Sequence, residues 1–267
     1  MANITSKDGT RIAFEKRGHG PALVVVGGAL SHSKFPGVQP LAAKLSAQFT
    51  VYTYDRRGRG ESTDAKAYAV AREIEDVDAL IDAAGGSAHV YGISSGAALA
   101  LQAAAKLGPT KISKLALYEA PYPAVDDKQK QDFARQKQRV EELIKTGKPG
   151  DAVTYFMSVI GTPPEGIERM KSSPTWDAIK QMEFTLDYDY AVLGDGTVPR
   201  DTAKVVRVPA LVMTGENTMG FMHGAADALA QLMPHAERKT LKGQTHQVEP
   251  DALAPVLAEF FLRGQKR

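Results

Sequence analysis

A serine can act as a nucleophile only where a turn exposes it and a base can take its proton, and this chain offers residues for both. Ser94 stands at the centre of Gly92-Ile93-Ser94-Ser95-Gly96, a G-x-S-x-G stretch. A sharp strand-to-helix turn of this kind thrusts its middle residue into the open on a strained backbone. The flanking positions must then be nearly bare so that strand and helix can approach, and Gly92, Gly96 and Ala97 meet that demand. The backbone N–H groups that open the following helix lie beside the serine and suit a developing oxyanion. Of the six histidines, His246 is the best-placed base. It lies in Gly243-Gln244-Thr245-His246-Gln247-Val248, between the last predicted strand and the last predicted helix, and so belongs at the same sheet edge as Ser94. His19, His89 and His235 read as structural or solvated. His32 and His223 sit in other loops at the catalytic edge.

Bulk properties narrow the remaining chemistry. The absence of cysteine excludes disulfides, a thiol nucleophile and cysteine-ligated metal. With 33 basic and 31 acidic residues, the net charge of +2 makes no case for nucleic acid or an anionic membrane. No apolar run approaches the roughly 20 residues needed to span a bilayer, and the first residues lack a signal-peptide pattern, so a cytoplasmic location is expected. Glycine-rich phosphate cradles and metal-ligand spacings are missing. No cofactor and no metal are expected, and the expected partner is a small-molecule substrate. Oligomeric state is not readable.

The elements that must position these residues follow from periodicity. Residues 2–17 alternate around Asp8-Gly9, a hairpin signal. Apolar runs at 22–26, 50–54, 88–92, 112–118, 206–214 and 237–241 read as strands. Helical patterns cover 41–47, 65–84, 95–106, 224–233 and 250–262. Composition shifts at Ala124: residues 125–146 are charged and helical, and 151–193 hold two or three further amphipathic segments broken at Pro163-Pro164 and Pro174. No strand pattern appears between 124 and 204. The alternation predicts an α/β fold, a mostly parallel central sheet covered by helices on both faces. The gap predicts a helical cap: a core domain of residues 1–121 and 201–267, with residues 122–200 inserted over the sheet's C-terminal edge, where ligands bind in open α/β sheets.

The pieces in this order resemble the α/β-hydrolase fold family, over nearly the whole chain outside the cap. Gly92-Ile93-Ser94-Ser95-Gly96 matches the nucleophile elbow. Asp55-Arg56-Arg57-Gly58-Arg59-Gly60-Glu61-Ser62 matches the family's D-x-R-G-x-G-x-S turn, and His246 matches the terminal-loop histidine. The resemblance implies an oxyanion hole of two backbone N–H groups, here Ser95 and, in the Gly27-Gly28-Ala29 loop after the third strand, Ala29. Many relatives carry His-Gly where this chain has Gly27-Gly28.

A second departure concerns the acid. Much of the family places it after the seventh strand, in a G-x-x-D pattern, but this chain has Gly215-Glu216-Asn217-Thr218. Thr218 cannot hold an imidazolium by charge, and Glu216 is two residues early. Either the triad is broken, or the acid comes from the end of the sixth strand, a location other relatives use. Leu117-Tyr118-Glu119-Ala120-Pro121 offers Glu119 there. A glutamate closing a buried strand is costly unless paired, so Glu119 is expected to be the third member of the triad.

Serine at the elbow argues against dehalogenase and epoxide-hydrolase chemistry, which use aspartate in this fold. The expected function is hydrolysis of a small, mostly apolar ester or lactone through an acyl-enzyme on Ser94. Perhydrolysis and C–C bond hydrolysis are further alternatives. So is a ligand-binding protein with little or no turnover, for which Thr218 is the only support. Gly28, His32, Ile93, Trp176, Thr218 and His223 are the candidate pocket residues. Phe156, Met157, Ile160, Met182 and Phe184 in the cap either line an apolar pocket or pack the cap onto the core.

Overall fold

The chain opens as a hairpin of β1 (Ala2–Thr5) and β2 (Arg11–Arg17), paired antiparallel from Ala2 opposite Phe14 to Thr5 opposite Arg11. Gly9, at φ 88°, takes the left-handed position of the turn. The structure is a computed structural model that describes residues 1–33, 37–65, 67–146 and 148–264. There follow β3 (Ala22–Val26), α1 (Val38–Leu45), β4 (Thr50–Tyr54), α2 (Val70–Ala83), β5 (Ala88–Ile93), α3 (Ser95–Leu107) and β6 (Ile112–Tyr118). Next come α4 (Asp127–Lys145), α5 (Asp151–Val159), α6 (Pro164–Lys171), α7 (Trp176–Gln181), a 3-10 turn (Glu183–Thr185), α8 (Leu186–Leu193) and α9 (Arg200–Val205). The chain returns to the sheet with β7 (Ala210–Gly215), α10 (Gly220–Leu232), β8 (Ala236–Leu241) and α11 (Pro250–Leu262).

The eight strands form one sheet in the order β1-β2-β4-β3-β5-β6-β7-β8, antiparallel at β1, β2 and β4 and parallel from β4 onward. Strand alternation explains why both faces need helices. In β3, Val24 and Val26 point into a core shared with α2, α3 and α10, whereas Leu23 and Val25 point into a second core closed by α1 and α11. From β3 the chain goes to β4 on one side, and β5 then pairs on the other. That reversal is a topological switch point, which opens a crevice at the C-terminal ends of the strands. The neighbours β3, β5, β6 and β7 thus deliver the loops carrying Gly28, Ser94, Glu119 and Thr218 side by side.

Between β6 and β7 lie helices only, among the described residues. Helix α4 is capped by Asp126, whose Oδ1 accepts from Gln129 N at 2.8 Å while Gln129 Oε1 accepts from Val125 N at 2.8 Å. Helices α4, α5 and α8 build a third apolar cluster from Phe133, Val140, Ala152, Val153, Leu186 and Tyr190, and Leu30 from the loop after β3 is buried in it.

Several boundaries differ from the sequence reading. The helix expected over 65–84 begins at Val70, because Tyr68 is held in a stack on Tyr188, ring centroids 3.7 Å apart, and Ala69 is extended. Helix α1 begins at Val38, ahead of the expected 41, because Pro40 fits within its first turn. The strand expected over 206–214 begins at Ala210, after α9 and Pro209.

Candidate active site

Three non-glycine residues among those described have positive φ: Leu30 (56°), Ser94 (57°) and Glu119 (50°). Each lies just beyond the C-terminal end of a strand, β3, β5 or β6 in turn. Left-handed backbone at a side-chain-bearing residue costs about 1–3 kcal/mol and persists only where the surroundings enforce it, typically at functional sites. At Ser94 the enforcement is visible. A Cβ at Gly92 would collide with the Gly96 carbonyl, and one at Gly96 with the Val26 and Gly27 carbonyls. The elbow is therefore packed against the loop after β3. A Cβ at Gly28 would stand 2.9 Å from Ser94 Cβ, so that loop passes directly beside the serine. Ser94 N donates to Tyr118 O at 2.9 Å, which ties the elbow to the residue before Glu119.

Glu119 is buried and fully occupied. Its Oε1 accepts from Gly215 N at 2.7 Å, and its Oε2 accepts from Thr218 Oγ1 at 3.0 Å and lies 2.6 Å from His246 Nδ1. A carboxylate only accepts, so Nδ1 carries the proton and Nε2 is left as the basic nitrogen. The loop bearing His246 is anchored at several points. Tyr118 Oη donates to Thr245 O at 2.5 Å, Asn217 N to Gln244 O at 2.8 Å, and Gly243 N to Glu216 Oε2 at 2.8 Å. Glu216 thus bonds the loop's backbone and not the imidazole.

The remaining candidates divide. Ser95 follows Ser94 at the first turn of α3, and Ala29 follows Gly28 in the loop that passes beside Ser94. The N–H groups of a helix's first turn lie ahead of any intrahelical acceptor, so that of Ser95 is free of the helix ladder. Ile93 closes β5 half-buried, and His32 is half-buried in the loop beyond Leu30. Three expected pocket residues are engaged in other contacts. The hydroxyl of Thr218 is committed to Glu119. His223 Nδ1 lies 3.1 Å from Thr214 Oγ1, which also accepts from Arg238 Nη2 at 2.9 Å. The Trp176 ring fills space that Gly150 leaves open, since a Cβ there would lie 2.6 Å from Cζ2.

A buried ionic network went unread in the sequence. Arg56 binds Glu73 through Nε and Nη2, at 2.6 and 2.7 Å, and Asp189 through Nη1 at 2.8 Å. Arg59 binds Asp189 at 2.8 Å and the carbonyl of Gly28 at 2.7 Å. Arg57 pairs separately with Asp76 and Asp8. Burial raises the carboxyls of Glu73 and Asp189, but the guanidinium groups outweigh it: Arg56 holds Glu73, and Arg59 with Arg56 holds Asp189, below the ordinary carboxylate value. A signal was present. Asp189 falls three residues after Leu186 and one before Tyr190, a charge on the apolar stripe of α8. Among the described residues, no group of three or more histidine, aspartate or glutamate side chains is placed to hold a metal ion, and no helix is long and apolar enough to cross a membrane.

The sequence pattern of the Alpha/beta hydrolase family matches residues 22–256. An alpha/beta hydrolase from Sphaerobacter thermophilus DSM 20745 superposes with a TM-score of 0.86 at 47% identity, covering 97% of this chain and all (100%) of its own. The enol-lactonase from Burkholderia xenovorans LB400 superposes at 0.77 with 20% identity, covering 98% of this chain and 100% of its own, a likeness of fold. In sequence, the Bacillus subtilis (strain 168) protein YraK, named an uncharacterized hydrolase, is 37% identical over 98 residues. That stretch spans 35% of this chain and 35% of YraK.

Proposed function

The chain belongs to the alpha/beta hydrolase family, and from that premise we propose that it is a serine hydrolase cleaving a small, mostly apolar ester or lactone through an acyl-enzyme on Ser94. The observation that carries this reading is the 2.6 Å contact of His246 Nδ1 with the buried Glu119 carboxylate, next to a serine held at φ 57°.

In the proposed reaction His246 Nε2 takes the Ser94 proton as Oγ attacks the carbonyl carbon. The oxyanion of the tetrahedral intermediate is received by the N–H groups of Ala29 and Ser95. His246 then protonates the leaving alkoxide as the C–O bond breaks. Water, deprotonated by His246, next attacks the acyl-enzyme, and its collapse frees the acid and restores Ser94. Glu119 orients the imidazole and stabilises the imidazolium in both halves. Thr218, at the place where many relatives carry the acid, donates to Glu119 Oε2 at 3.0 Å, a contact that supports the β6 carboxylate as the acid. The helices between β6 and β7 act as a cap. Phe156 and Met157, partly buried against its apolar cluster, are the cap side chains that this reading offers to an apolar substrate.

A series of p-nitrophenyl esters of rising acyl length, together with simple lactones, tests the substrate class. Turnover of short to medium acyl esters or of lactones by the wild-type chain, and its loss in Ser94→Ala, is expected. Equal turnover by Ser94→Ala would reject the reading.

A further inference from the structure

One buried carboxylate of the proposed cap is bonded to the Ser95 side chain and, through Arg59, to the peptide that carries the Ala29 N–H. We propose that Asp189, acting with Arg59, is a positioning residue that orients the Ala29 and Ser95 N–H groups, so that α8 sets the geometry of the oxyanion hole. The proposal rests on the serine-hydrolase reading above.

The link to Ala29 runs through a peptide plane. The Gly28 carbonyl and the Ala29 N–H belong to one planar trans peptide, so fixing the direction of one fixes the other, pointing opposite. Arg59 Nη1 grips Gly28 O at 2.7 Å, and Ser31 N adds a longer bond at 3.2 Å. The guanidinium is itself immobilised, with Nη2 on Asp189 Oδ2 at 2.8 Å and Nε on Thr185 Oγ1 at 3.1 Å. The link to Ser95 is direct: its Oγ donates to Asp189 Oδ1 at 2.7 Å. Arg56 Nη1 braces the same oxygen at 2.8 Å and reaches toward Gly27 O at 3.4 Å. Arg56, Arg59, Ser95, Thr185 and Asp189 are all at most 2% exposed, so none of these bonds competes with solvent. Leu30, next to Ala29, is held left-handed and packed into the cap's apolar cluster, a second hold on the same loop. Donors aimed in advance at the oxyanion are effective because they need no reorganisation during reaction, and a supporting shell left loose forfeits that advantage.

The test is Asp189→Asn in the full chain, with p-nitrophenyl acetate as substrate and n-butylboronic acid as a probe that forms a tetrahedral adduct on serine. The expected result is a kcat lower by about 10- to 100-fold and boronate affinity weakened by a similar factor, with KM changed by less than about threefold and the pH profile of kcat unshifted. A folded variant with unchanged kcat and boronate affinity would overturn the proposal, as would a loss confined to KM or to thermal stability. If Asp189→Asn does not fold, Ser95→Ala removes only the hydroxyl, with its bonds to Asp189 Oδ1 and Arg56 Nη1. It is expected to lower kcat and boronate affinity together by about 3- to 10-fold, and parity with wild type would again overturn the proposal. Ser94→Ala separates the two levels. If it hydrolyses the ester like wild type, the serine-hydrolase reading fails and takes this proposal with it. If it is inactive while folded Asp189→Asn matches wild type, only the positioning role fails.

Discussion

Glu119 ends a buried strand on left-handed backbone and receives three hydrogen bonds, one of them from the residue that stands at the usual acid position. That arrangement makes two substitutions informative. Glu119→Gln keeps the shape but removes the charge and permits the wrong histidine tautomer. Turnover should fall by about 10²- to 10⁴-fold with the fold retained. Thr218→Asp would set a second carboxylate about one hydrogen bond from the first, and like charges that close resist joint ionisation. Steady-state kinetics should show no gain and a loss of activity, whereas a rise would assign the acid to position 218. At this scale the sequence was legible where a residue's neighbours force its conformation. The sharp turn at Ser94 was legible because Gly92, Gly96 and Ala97 surround it, and a partner for Glu119 because a carboxylate ending an apolar strand needs one. Thr218 was read as a departure because its role depends on the Glu119 side chain 99 positions away.

At the scale of elements, strands 22–26, 50–54 and 112–118 were readable to the residue, since apolar runs buried on both faces leave little freedom. Helix starts were less so: the start of α2 depends on Tyr68 meeting Tyr188, a contact across 120 positions that no local pattern records. Strand β5 also carries a titratable group facing α11. His89 is buried, its ring stacks on Phe261 with centroids 4.9 Å apart, and Nδ1 lies 2.7 Å from Ser113 Oγ. Burial first, and Lys114 second, push its pKa from 6.5 down to about 4. Unfolded, the imidazole protonates near its ordinary value, so between those limits the unfolded chain binds more protons. The stability is complete above about pH 6.5 and is lost as pH falls toward 4, amounting to about 2 kcal/mol by pH 5. Urea denaturation at pH 7 and pH 5 should show that much less acid sensitivity in His89→Asn than in the wild-type chain. Equal sensitivity in the two would mean the histidine is not buried neutral.

At the scale of the whole molecule, the helices from α4 to α8 leave the sheet and return to it at neighbouring points, joined by a backbone bond from Ala124 N to Gly196 O at 3.0 Å. That no strand lies among the described residues of this span was legible from its charged, helix-forming composition. How its helices meet the sheet was not, because Arg59 and Asp189 are separated by 130 positions and each, read alone, looks like a solvated charge. The measurement that bears most directly on the proposed chemistry is covalent labelling. The folded full-length chain is treated with a fluorophosphonate and the adduct located by peptide mass spectrometry, alongside His246→Ala. The expected result is a single adduct on the peptide containing Ser94, formed far more slowly when His246 is replaced. Folded protein that stays unlabelled, or that carries its label on a different serine, would contradict a nucleophile at Ser94.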